Sequence, residues 1–153
     1  MAKHIWSVLC DRALVDKESG QVSLIGIVEK IKVNATIAEL ENIESGTEDA
    51  MLLPAHLALA TWWVRSDYDT PETGCARIRL LSPEGNELIN NPYPIRLENA
   101  QGWRPILSMR HFPFNRASGV YWFENQEEQT DGSWQTVARL PIQVAFSPEE
   151  TGE

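Results

Sequence analysis

His4, His56 and His111 are the first residues to weigh for chemistry, because a neutral imidazole can act as a base or hold a transition metal. None stands in an HExxH or Cys-x-x-Cys pattern, so a zinc site would have to assemble from distant parts of the chain. His4 reads as a terminal residue, and the other two read as strand residues. Asp67, Asp69 and Glu72 crowd the polar stretch Ser66 to Thr73, and loop carboxylates of this kind are oxygen ligands that calcium prefers. Their spacing is not that of an EF-hand, which leaves a weak calcium candidate beside the plainer reading of solvated loop acids. Ser108-Met-Arg-His111 places a hydroxyl near an imidazole in sequence, but no Gly-x-Ser-x-Gly elbow, GxGxxG or Walker loop accompanies it. No catalytic residue and no cofactor are therefore expected, and a hydrolase with scattered acids ranks last among the readings.

Six tryptophans are many for 153 residues. Exposed Trp and Tyr offer large, stiff apolar area, so they stack on sugar rings or anchor protein interfaces. Trp62, Trp63, Trp103 and Trp122 are the candidates for such a ligand or interface surface, set against ordinary core and sheet-face packing. Trp62 and Trp63 must face opposite sides if both lie in one strand. Cys10-Asp11-Arg12 falls where the first strand leaves the sheet, which suits Asp11 as an acceptor for turn amides with Arg12 as its partner.

The elements that would position these residues are mostly strands. Ile5 to Cys10 and Val22 to Ile31 flank the polar connection Asp16 to Gly20, which is a hairpin signal. In the second run Val22, Leu24 and Val28 point one way while Ile25, Ile27 and Ile31 point the other, which predicts a mid-sheet strand buried on both faces. Thr36-Ile-Ala-Glu39 fits a capping box, so one short helix is expected over residues 37–44. From Ala55 to Arg65, Leu57, Leu59, Thr61 and Trp63 alternate with Ala58, Ala60, Trp62 and Val64, and the small alanines leave room for a close neighbour.

Gly74 to Leu81 reads as a half-exposed strand, Ser82-Pro-Glu-Gly85-Asn86 as a turn, and Asn91 to Leu97 as a proline-marked edge. Trp103 to Phe112 and Gly119 to Glu124 add two more strands. Asp131-Gly132 turns into a last run with Trp134, Thr136, Ala138, Leu140, Ile142, Val144 and Phe146 inward. Pro141 in that run predicts a bulge or a sheet edge.

Seven to nine strands with one short helix describe an all-β, two-sheet antiparallel sandwich, immunoglobulin-like or similar. A single domain over residues 1–147 and an acidic frayed tail over 148–153 complete the expected organisation. Strands apolar on both faces leave one outer face to be covered, by the helix and by a homodimer contact.

The formal net charge of −9 argues against nucleic acid and anionic membranes, since phosphate binding relies on clustered Lys and Arg. No apolar run approaches the ~20 residues needed to span a bilayer. The amino end lacks the apolar region of a signal peptide, and two distant cysteines predict reduced thiols in a cytosol.

The opening Leu9-Cys10-Asp11 and Gly20-Gln-Val-Ser-Leu-Ile-Gly-Ile27, with Gly119-Val-Tyr-Trp and Leu140-Pro-Ile-Gln-Val later, resembles an uncharacterised bacterial family of unknown function. That resemblance implies a single β-sandwich domain and brings no assigned catalytic residues. The leading functional expectation is a non-catalytic cytosolic sandwich working through protein contacts, as a homo-oligomer or an accessory to a larger assembly. The rival is a carbohydrate or small-ligand module using exposed Trp.

Overall fold

Strands form here wherever β-branched and aromatic residues alternate with polar ones, because a pleated strand sends successive side chains to opposite faces. The computed structural model describes residues 1–35 and 51–148. Ten strands occur in it: β1 (Lys3–Val15), β2 (Val22–Ile27), β3 (Lys30–Ala35), β4 (Met51–Val64), β5 (Glu72–Leu81), β6 (Glu87–Leu97), β7 (Gly102–Trp103), β8 (Ile106–Phe114), β9 (Gly119–Glu128) and β10 (Trp134–Pro148). Among the described residues there is no helix. The helix expected over 37–44 and the tail after Pro148 lie outside the described residues.

The strands form two five-stranded sheets. One runs β2-β1-β4-β7 with β8 also paired to β4, and the other runs β3-β10-β9-β5-β6. Every pairing is antiparallel except β3, which lies parallel to β10. This is the expected β-sandwich, with more strands than the seven to nine counted from sequence because two runs each divide. Val22 to Ile31 serves both sheets, as β2 and then β3. Trp103 to Phe112 breaks at Arg104-Pro105 into β7 and β8, since proline has no N–H for a ladder.

The inner faces meet in one core. Leu9, Leu57, Leu59, Trp63, Phe112 and Phe114 of the first sheet pack against Ile78, Leu80, Ile95, Tyr121, Phe123 and Ile142 of the second. The Phe112 ring stands edge-on to Tyr121 at 5.3 Å and to Phe123 at 6.3 Å, the arrangement that the ring quadrupoles favour.

The hairpin β1–β2 forms as expected, but β2 is an edge strand rather than a central one. The chain changes sheets at Val28 and Glu29: the Val28 N–H donates to the Leu9 carbonyl and the Gln143 N–H donates to the Glu29 carbonyl, both at 2.9 Å. Ile31 therefore joins the core from the second sheet, while Ile25 and Ile27 stay 40% and 61% exposed. Both faces of the run are apolar because it serves two sheets in turn.

The far half of the hairpin bends back. A straight strand from Trp6 to Val15 would span about 30 Å. Yet the turn residues Ser19 to Ser23 share one groove of about 400 Å³ with Trp6, Trp62 and Arg104, on the outer face of the first sheet. The bend falls at Asp11 and Gly26: Gly26 has a φ of +68°, and a Cβ placed there would come within 3.2 Å of the Asp11 Cβ. Asp11 to Leu14 of the arm line one groove with Ala58, and Cys10, Ala58 and Ala60 are buried although they face away from the core. Part of the cover expected from a helix or a second chain is thus supplied by the chain itself, and the small alanines make room for it.

In β10 an irregularity between Thr136 and Ala138 reverses the alternation. Leu140, Ile142 and Val144 pack inward as expected, but Trp134 and Thr136 lie on the outer face, Trp134 under the Arg77 guanidinium and Thr136 bonded to Gln126. Pro141 sits where β10 pairs with β9 alone, because β3 joins only from Gln143. That is a sheet edge, one of the two settings its proline predicts.

Candidate functional site

The four candidate tryptophans do not share a surface. Trp63 is wholly buried in the core, where its Nε1–H donates to the Tyr93 hydroxyl at 3.3 Å. Trp103 pairs with it across strands and lies half-buried, 6.1 Å from the Tyr93 ring. Trp62 points to the opposite face, half-buried beneath the Arg104 guanidinium at 4.7 Å. Trp122 is on the outer face of the second sheet, with Arg139 4.1 Å above its ring. Around it Arg79 pairs with Glu87 at 2.6 Å and with Glu124 at 3.5 Å, and Arg139 reaches Glu124 at 3.4 Å. This face satisfies itself with cross-strand ion pairs and cation–π contacts, so it can face water uncovered.

The loop acids are likewise occupied. Asp67 accepts hydrogen bonds from the Asp69 N–H at 3.1 Å and from the Thr70 hydroxyl at 2.9 Å, which hold its carboxyl below the usual range. Burial pushes Glu72 up, but the Ser66 N–H at 3.0 Å and the Met1 ammonium at 3.5 Å outweigh it and lower it overall. Among the described residues no three acids, histidines or cysteines gather into a metal-holding group, so Asp67, Asp69 and Glu72 do not converge as calcium ligands. Ser108 and His111 are both exposed on β8.

A polar cluster lies instead inside one end of the sandwich. His4 Nε2 and Ser7 Oγ are 2.7 Å apart. Ser7 Oγ donates to Thr61 Oγ1 at 3.1 Å, and Thr61 donates to the Trp6 carbonyl at 3.2 Å. From the opposite sheet the Asn125 side-chain amide donates to Ser7 at 3.2 Å and to Thr61 at 3.1 Å. Its oxygen accepts from the Tyr93 hydroxyl at 2.8 Å. Burial lowers the pKa of His4, with a bond to the Trp6 backbone opposing it, and burial pushes Tyr93 up to about 12 against its hydrogen bonds. The His4 ring packs edge-on against Trp63 at 5.2 Å.

A cleft opens beside this cluster. Over Lys3 to Leu9, β1 pairs with β4 on one side only, and over Trp134 to Ile142, β10 pairs with β9 only, among the described residues. The gap between these two edges is closed at one end by the crossing at Val28 and Glu29. It holds about 510 Å³ and is lined by Leu9, Ile27, Val28, Leu140 and Pro141, with Ser7 at its polar end and Glu29 at its rim. Ser7 and His4 have the spacing of a nucleophile and its base. Their shared bonds with Asn125 and Thr61, however, tie one sheet to the other. What the arrangement supplies plainly is an apolar slot with one polar end, in the size range of about 300–1,000 Å³ usual for small-molecule sites.

No protein-family model and no curated protein matches this chain.

Ser7, Asn125 and Tyr93 stand in no sequence motif, and His4 has the look of a terminal residue. A signal was nonetheless present: Ser7, Thr61 and Asn125 are polar residues at positions whose parity points inward, next to Leu9, Leu59 and Phe123. Polar side chains at inward positions on three separate strands imply that they bond to one another.

Proposed function

We propose that this chain is a non-catalytic association module and that the edge of β2 pairs with a second copy of the chain. The carrying observation is that edge. β2 reads Val-Ser-Leu-Ile-Gly-Ile, carries no charge and is unpaired on its outer side among the described residues. Leu14 on the neighbouring strand is 50% exposed, and with Ile25 and Ile27 it leaves apolar side chains beside open N–H and C=O groups. An uncharged edge is self-complementary: antiparallel pairing of two copies aligns their ladders without opposing like charges, in a protein whose net charge of −9 penalises most other self-contacts. Cys10 and Cys75 are both free thiols on different sheets, which supports a reducing, cytosolic setting.

Light scattering coupled to size exclusion tests this. The wild type is expected to run at the mass of two chains and Ile25→Lys at the mass of one, with unchanged circular dichroism because residue 25 faces solvent. A wild type that stays a single chain at hundreds of micromolar overturns the reading.

A further inference from the structure

The slot between β1 and β10, which shares Ile27 with the β2 edge, points to a second activity beyond the pairing of that edge. We propose that it binds an uncharged amphipathic small molecule, with the apolar body between Leu9, Val28, Leu140 and Pro141 and a hydroxyl or carbonyl head at Ser7. Three observations carry this. The slot has a volume of about 510 Å³ and walls that are chiefly aliphatic. Its single polar end belongs to a cluster that can rearrange by hydroxyl rotation: Ser7 and Thr61 each have a rotatable O–H, and the Asn125 amide already divides its hydrogen bonds between them. A ligand hydroxyl can therefore join the chain without leaving a buried group unpaired. Finally, among the described residues the only ionisable side chain lining the slot is Glu29 at the rim, which together with the net charge of −9 repels carboxylates and phosphates.

The slot is also bounded by backbone that does not need to move. The Leu9 and Glu29 carbonyls are taken by Val28 and Gln143 across the sheet change, so the closed end is held by ladder bonds rather than by a loose loop. Pro141 cannot donate from the β10 edge, which keeps a polar N–H out of that wall.

The test uses the full chain, isotopically labelled, titrated with 1-octanol and separately with octanoate while the side-chain resonances of His4, Asn125 and the Trp63 indole are followed. Octanol is expected to shift these three signals saturably, and octanoate to bind at least about tenfold more weakly because Glu29 repels it. Ser7→Ala is expected to weaken octanol binding about tenfold, the loss of one hydrogen bond. Pro141→Trp, at an exposed rim position, is expected to abolish binding by filling the mouth, and it decides the matter if Ser7→Ala does not fold. Shifts that never saturate, shifts confined to other parts of the chain, equal affinity for octanoate, or octanol binding untouched by Pro141→Trp would each overturn the proposal.

Discussion

Asn125 shows how much can rest on one side chain. Its amide bridges Ser7 and Thr61 on one sheet to Tyr93 on the other, at distances of 2.8 to 3.2 Å. Replacing it by Leu strands buried donors and acceptors on both sheets, so a loss of about 2–4 kcal/mol is expected in urea denaturation. His4 gives the cluster a pH dependence. Its folded pKa lies below the ordinary 6.5 because burial disfavours the imidazolium. Between the two values the unfolded chain binds the extra proton, so the His4 contribution is fully present above pH 6.5 and is lost as pH falls from 6.5 through the folded value. Denaturation midpoints at pH 7.5 and 5.5 should therefore differ more in the wild type than in His4→Asn; an equal difference in both proteins would contradict this.

At the scale of elements, the bent hairpin arm decides what the outer face of the first sheet shows to solvent. Gly26 is the pivot, since its φ of +68° and its closeness to Asp11 both resist a Cβ. Gly26→Ala is expected to cost about 1–2 kcal/mol and to loosen the arm. Cys10 beneath it has no exposed surface, and burial pushes its thiol pKa up, with the Asp11 charge adding to the shift. Thiol labelling in a Cys75→Ser background should accordingly be slow, and several-fold faster once Gly26→Ala is added. Equal labelling rates would mean that the arm does not protect Cys10. The second sheet needs no such cover, because Arg77 over Trp134 at 4.3 Å and Arg139 over Trp122 at 4.1 Å already complete its outer face.

For the whole molecule the net charge and the exposed arm act against each other. Two copies each carrying −9 repel at long range, while an uncharged β2 edge gains from apolar burial and ladder bonds. Raising sodium chloride from about 50 to 500 mM shortens the screening length from about 14 to 4 Å, so the proposed pairing of two β2 edges should tighten with salt. Sedimentation showing that salt dissociates the dimer would indicate an interface of ion pairs and not the β2 edge. The two-sheet architecture itself was legible from sequence. Period-two alternation in Leu57-Leu59-Thr61-Trp63 and in Leu140-Ile142-Val144 reports burial directly, whatever the strand order.

The amino-acid sequence alone determined the class of fold, the β1–β2 hairpin and the inward parity of most core residues, because alternation and turn chemistry are local properties of the chain. Tertiary structure alone decided that Val22 to Ile31 divides between two sheets, that the arm folds back at Gly26, and that Ser7, Thr61, Asn125 and Tyr93 meet. Each of these depends on pairing between residues far apart in sequence. Asn125 bonds Ser7 across 118 positions; local parity marks each of them as an inward polar residue, but not which partner it meets. The four tryptophans make the same point: their spacing set which face of a strand each one takes, but only sheet packing put Trp63 in the core and Trp62 and Trp122 on opposite sides of the molecule.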